Sequence, residues 1–147
     1  MLIVYHSQSG RSALLAAAVY HGALDENKAS RLLRAVDAGA ADVAASSGLV
    51  LVCAENSGRL AGGAKDFMDR VFYPLIDRSC TLPYTLLISA GNDGRGAVQE
   101  AQRILRGVPF TEALEPRIIL GPPTAHDLSE ARELGSAFAA GLAMGIF

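Results

Sequence analysis

Cysteine and histidine are scarce in this chain, and strong charge and long apolar runs are missing altogether. The two cysteines, Cys53 and Cys80, make neither a disulfide framework nor a metal-ligand pair at short spacing. His6, His21 and His126 are scattered, so no histidine–carboxylate cluster is visible and no metal is expected. The formal net charge of −2 is too mild to point to nucleic acid or an anionic membrane, and no basic patch is interleaved with aromatics. The longest weakly polar stretch, Gly135 to Phe147, is too short and too rich in glycine to span a bilayer. No charged leader precedes an apolar segment, and the first strand is expected to begin at Leu2. Repeats, low-complexity tracts and linkers are absent too. The expectation is a reduced, cytoplasmic protein with one domain over residues 1–147, half of whose residues are hydrophobic.

What is present is an alternation. Short apolar runs rich in β-branched residues recur at Leu2–Tyr5, Arg31–Val36, Leu49–Cys53, Tyr84–Ser89 and Arg117–Leu120. Three of them lack a polar face, as strands covered on both sides do. Helical spacing fills the gaps. One helix is expected from Ser12 to about Tyr20, ending near Gly22, and a short one at Asp42–Ser46. A third, with Ala64, Phe67, Met68, Val71 and Phe72 on one face, is expected to stop before Pro74. A fourth runs from Gly96 to Arg106 and ends at Gly107. The last begins at Asp127, where Asp-Leu-Ser-Glu resembles a capping box, with Ala131, Leu134, Phe138 and Leu142 inward. Five strands alternating with helices imply a parallel sheet wrapped on both faces, with the common order 2-1-3-4-5. In that winding ligands sit at the carboxyl ends of the strands, beside the first and third.

Three polar, glycine-marked loops fall there. In "HSQSGRS" the chain passes from the first strand into a helix whose first turn exposes unpaired N–H groups and the positive end of its dipole. Ser7, Ser9 and Ser12 supply hydroxyls, Gly10 allows close approach, and Arg11 adds charge, a set that suits a phosphate monoester. The same residues also make an ordinary serine cap with a turn glycine. In the second loop Glu55, Asn56, Ser57 and Gly58 offer backbone N–H groups and an amide to the edge of a planar ligand. In the third, Ala90, Gly91, Asn92, Asp93 and Gly94, with Gly96 beyond, either allow a planar ligand to approach closely or form only a turn. Lys65 and Asp69, four apart, read as an exposed ion pair.

The segment "IVYHSQSGRSALLAAAVYHGA" resembles the first strand, phosphate loop and first helix of the flavodoxin-like family. "GLVLVCAENSGRLAGGAKDFMDR" is similar to the flavin-ring loop and third helix of NAD(P)H-dependent FMN reductases, with Glu55, Gly58, Gly62, Lys65 and Asp69 at matching places. "LLISAGNDGRGAVQEAQRIL" resembles the fourth strand and second ring-contacting loop. The resemblance implies a flavodoxin-like three-layer α/β sandwich that binds FMN. It also implies an oxidoreductase passing hydride from NAD(P)H through the flavin to a quinone, a free flavin or a similar small acceptor, with no protein acid or base assigned. It implies Ser7, Ser9, Gly10, Arg11 and Ser12 at the phosphate, and Glu55–Gly58 and Ala90–Gly94 at the ring. The family's reductases commonly pair, and the apolar groups of "VFYPLI" and of the C-terminus suit a homodimer.

Two departures stand out. Ala54 and Asn56 replace a frequent proline and tyrosine, and no aromatic lies in Glu55–Arg59 or Gly91–Gly96. Flavin retention is therefore expected to be weaker than in a dedicated flavodoxin. An electron-transfer carrier is the alternative, although such carriers are typically acidic with aromatic-flanked flavin. A third reading is a cysteine phosphatase, because Cys53 to Arg59 satisfies Cys-x5-Arg. Glu55 inside that loop would repel phosphate, and Cys53 ends an apolar strand, where an inert buried thiol is usual. A phosphoacceptor receiver is excluded, since His6-Ser7 and Cys53 stand where its acidic residues belong.

Overall fold

A computed structural model of the chain describes every residue from Met1 to Phe147. The elements run β1 (Leu2–Tyr5), α1 (Arg11–Glu26), β2 (Arg31–Arg34), α2 (Ala40–Ala44), β3 (Leu49–Asn56), β4 (Arg59–Leu60) and α3 (Gly62–Asp77). They continue with β5 (Pro83–Ala90), α4 (Arg95–Gly107), β6 (Thr111–Glu112), β7 (Arg117–Leu120) and α5 (Ala125–Ala143). The five principal strands pair in parallel in the order β2-β1-β3-β5-β7. Counted along the chain this is the expected 2-1-3-4-5 winding.

Alternate residues of the central strands feed two separate cores. Leu2, Val4, Leu49, Leu51, Cys53, Tyr84, Leu86 and Ile88 face α2, α3 and α4, while Ile3, Val50, Val52 and Leu87 face α1 and α5. Both faces are covered and almost wholly apolar, the exceptions being the buried Thr85 and Ser89 of β5 on the side of α1 and α5. The fifth strand is split. β6 pairs with Pro83 and Tyr84 at the start of β5, and β7 pairs with Leu87 to Ala90 at its end.

Several helix boundaries differ from the sequence expectation, each for a tertiary reason. Helix α1 does not end near Gly22 but continues to Glu26. A Cβ at Gly22 would lie 1.9 Å from the Arg132 carbonyl oxygen, and one at Gly135 would lie 2.0 Å from that of Val19. Gly22 is thus no terminator; it lets the α1 and α5 backbones touch. Helix α3 runs through Pro74 to Asp77. Proline costs a helix interior about 3 kcal/mol, but Val71 and Leu75 on either side are both buried and hold the turn together. Helix α5 starts one turn earlier than expected. Thr124 is its N-cap, and Asp127, expected as the cap, is the third residue, accepting the Thr124 N–H at 2.7 Å.

Candidate functional site

The loops after β1, β3 and β5 leave the same edge of the sheet, and each carries a left-handed glycine: Gly10 (φ 91°), Gly58 (φ 73°) and Gly94 (φ 70°). Gly10 is the N-cap of α1, and no side chain caps that helix. The first intrahelical bond runs from the Leu14 N–H to the Gly10 carbonyl, leaving the N–H groups of Arg11, Ser12 and Ala13 without helical partners. The space where a Cβ of Gly10 would point is open. Ser7 Oγ accepts the Gly10 N–H at 3.1 Å and so shapes the loop. Ser9 is exposed, and Arg11 has no ion-pair partner. These free donors, at the positive end of a sixteen-residue helix, make an anion cradle.

Ser12 has a different place. Its side chain is buried, and its hydroxyl pairs with Ser89 Oγ at 2.7 Å, tying α1 to β5. Only its backbone N–H is left for a ligand. Sequence reasoning missed Ser89, which carries no local signal inside an apolar strand.

The second loop is not a loose polar segment. β3 extends to Asn56 and turns back into β4 through Ser57 and Gly58, with Glu55 opposite Leu60 and Asn56 opposite Arg59. Ser57 (φ 51°) and Gly58 both have positive φ, the signature of a two-residue type I′ hairpin. The hairpin leans on α4: a Cβ at Gly96 would lie 2.0 Å from the Gly58 carbonyl oxygen, so only glycine fits there. Glu100 Oε2 accepts the Leu60 N–H at 3.0 Å and fixes the same contact. On the other side Asn56 Nδ2 donates to Gln8 Oε1 at 3.0 Å, linking the hairpin to the first loop. Gln8 was not among the expected site residues.

In the third loop Ala90 is buried at the end of β5, whereas Gly91, Asn92 and Asp93 are exposed. Asp93 Oδ1 accepts the Arg95 N–H at 3.0 Å. Helix α4 therefore has a carboxylate at its start where α1 has none. Gly94 packs against Ile118, whose Cγ2 would lie 2.6 Å from an added Cβ. No aromatic side chain enters these loops.

The remaining candidates resolve simply. Cys53 is fully buried, and burial pushes its thiol up to about 12, which removes the thiolate a cysteine phosphatase needs. Lys65 Nζ lies 2.7 Å from Asp69 Oδ2 as an exposed pair on α3. The His6 ring packs over Gly63, where a Cβ would lie 2.3 Å away, so it closes the end of β1 against α3. No group of three or more histidine, cysteine or acidic residues converges to hold a metal. No helix is long and apolar enough to cross a membrane.

No protein-family model and no curated protein sequence matches the chain. Solved structures do. A flavodoxin from the domain Archaea superposes with a TM-score of 0.80 at 17% identity, over 97% of each chain. A flavodoxin, WrbA-like protein from Agrobacterium tumefaciens gives 0.81 at 18%, over 97% of this chain and 96% of that one. Rubredoxin oxygen:oxidoreductase from Desulfovibrio gigas gives 0.84 at 13%, with 99% of this chain covering 36% of that longer protein. The chain has the flavodoxin-like fold, as its three-layer architecture and strand order define it.

Proposed function

We propose that the chain is an FMN-binding redox protein, an oxidoreductase passing electrons from NAD(P)H to a small acceptor. The observation that carries the reading is the uncapped, glycine-led start of α1 at the switch point of the sheet, beside two further glycine-marked loops. The donor set there suits a terminal phosphate dianion, since it combines unpaired N–H groups, a free hydroxyl and an unpaired guanidinium with open space at Gly10. In this reading Ser9, Arg11 and the N–H groups of Arg11 and Ser12 bind the phosphate, and Ser7 orders the loop through Gly10. The Glu55–Gly58 hairpin and the Ala90–Gly94 loop flank the isoalloxazine, where Gly58 and Gly91 leave room for it and backbone groups supply the polar contacts. When bound, the flavin supplies the hydride and electron chemistry. The chain's own part is to bind, to orient and to keep the ring edge polar, and no side chain is needed as acid or base.

A second reading, a carrier that exchanges electrons with other proteins, is favoured by one observation. The cleft beside the hairpin, about 620 Å³, is lined by no hydrophobic residue, whereas sites for small organic ligands are mostly apolar. The deciding experiment loads the protein with FMN and adds NADH or NADPH anaerobically. Bleaching of the flavin absorbance at a catalytic rate supports the reductase. A bound flavin that neither nucleotide reduces, but dithionite does, supports the carrier. Failure to bind FMN removes both.

A further inference from the structure

The polar cleft is formed where the β3–β4 hairpin leans on α4. Gly58 and Arg59 of the hairpin line it, facing Glu100, Gln102, Arg103 and Arg106 of the helix. Three guanidiniums thus surround one carboxylate, and that carboxylate is engaged with the Leu60 N–H. Gln102 Nε2 is likewise spent on Glu112 Oε2 at 2.7 Å. None of the three arginines has an ion-pair partner, although seven ion pairs form elsewhere on the surface. Arg95, also exposed and unpaired, extends the same charge toward the start of α4. The chain as a whole is negative, at −2, so this concentration of positive charge is local. Attraction to the helix dipole accounts for Arg106 in the last turn of α4. It does not account for Arg59, which sits on the hairpin and turns into the same cleft.

We infer that this cleft is a docking surface for the acidic face of a partner protein. Fork-shaped guanidiniums suit carboxylates in pairs, and exposed, unpaired charges of one sign steer association with a surface of the other. The lack of any apolar lining argues for a protein face and against a nucleotide, which needs a surface for its base. The position gives the docking a consequence. Gly58 belongs both to the cleft and to the loop proposed for the flavin ring, so a partner seated on Arg59, Arg103 and Arg106 stands at the edge of that site. The inference goes beyond the function proposed above and is tested without the cofactor.

The test is a titration of the ¹⁵N-labelled full chain, free of flavin, with a short polyglutamate peptide at low salt, followed by amide shifts. Saturable shifts are expected at Gly58, Arg59, Gly96, Gln99, Arg103 and Arg106, and they should vanish in high salt. Arg59→Glu with Arg103→Glu should weaken the interaction at least about tenfold while the rest of the spectrum stays in place. Arg103→Gln is the milder variant should the double one fail to fold. The absence of shifts, or shifts spread equally to Lys28 and Arg78, would overturn the inference. A tighter response of the same amides to 2′,5′-ADP than to the peptide would overturn it in favour of a nucleotide.

Discussion

Ser9 and Ser12 lie three residues apart, on either side of the start of α1, yet in opposite environments, and this separates binding from stability. Ser9→Ala should weaken FMN binding roughly tenfold to a hundredfold, the usual worth of a hydrogen bond to a charged group, and leave riboflavin binding unchanged. Equal losses for both flavins, read by fluorescence titration, would remove the phosphate assignment. Ser12→Ala should instead orphan the buried Ser89 hydroxyl and lower stability by about 1–3 kcal/mol. Cys53 makes a second test at this scale. Its thiol is pushed up to about 12 by complete burial, whereas Cys80 is partly exposed. An aromatic disulfide reagent should therefore titrate one thiol in the native protein and two after unfolding. A second fast native thiol would return Cys53 to the list of candidate nucleophiles.

Among the elements, glycines distinguish contact from freedom. Gly22 and Gly135 are where α1 and α5 touch backbone to backbone, so Ala at either position must push the helices apart. Each substitution should cost about 1–3 kcal/mol. Gly62 opens α3 with nothing within 4 Å of an added Cβ, and Gly62→Ala should be neutral or stabilising by up to about 1 kcal/mol. Thermal melts of the three variants check the contrast; equal losses at all three would show that the close approach is not what glycine provides. Helix caps give a pH test. The Asp42 carboxyl is held below its usual 3.8 by the Arg31 guanidinium and then by the Gly39 N–H. That of Asp127 is held down by the Thr124 hydroxyl and N–H. Depressed carboxyls stabilise the fold above the unfolded value of 3.8, and the contribution is lost as pH falls through their lower folded values. The urea midpoint should therefore drop below that pH, and the double variant Asp42→Asn, Asp127→Asn should flatten the drop.

At the scale of the whole molecule, the apolar groups left outside the two cores bear on pairing. We propose a homodimer built on the apolar ends of α3 and α5. Leu75 and Phe138 are buried, one in each core, but Tyr73 (71% exposed), Met144 (67%) and Ile146 (65%) remain outside. These residues lie at the C-termini of helices that run antiparallel to the sheet. They therefore mark the end opposite the three site loops, and the partner is not expected to wall the flavin. Light scattering at micromolar concentration should give twice 15.4 kDa. Met144→Glu with Ile146→Glu should restore the single-chain mass without altering FMN binding. A wild-type mass of 15.4 kDa removes the proposal.

The sequence by itself determined the layers and their order. Apolar runs without a polar face require helices on both sides of a sheet, and helices between successive strands require parallel pairing. The three glycine-marked loops were legible for the same reason, since the winding sends the segments after β1, β3 and β5 to one edge. Only the tertiary structure decided what meets across elements. Periodicity reports which face of a helix is buried and nothing about the partner. Hence Gly22 read as a stop when it is a point of contact, and Pro74 read as an end although flanking core residues carry the helix past it. Ser12 read as a ligand donor, although Ser89, distant in sequence, takes its hydroxyl. The Asn56–Arg59 hairpin and its seat on Gly96 were hidden likewise, because the close approach that demands glycine involves two segments far apart in the chain.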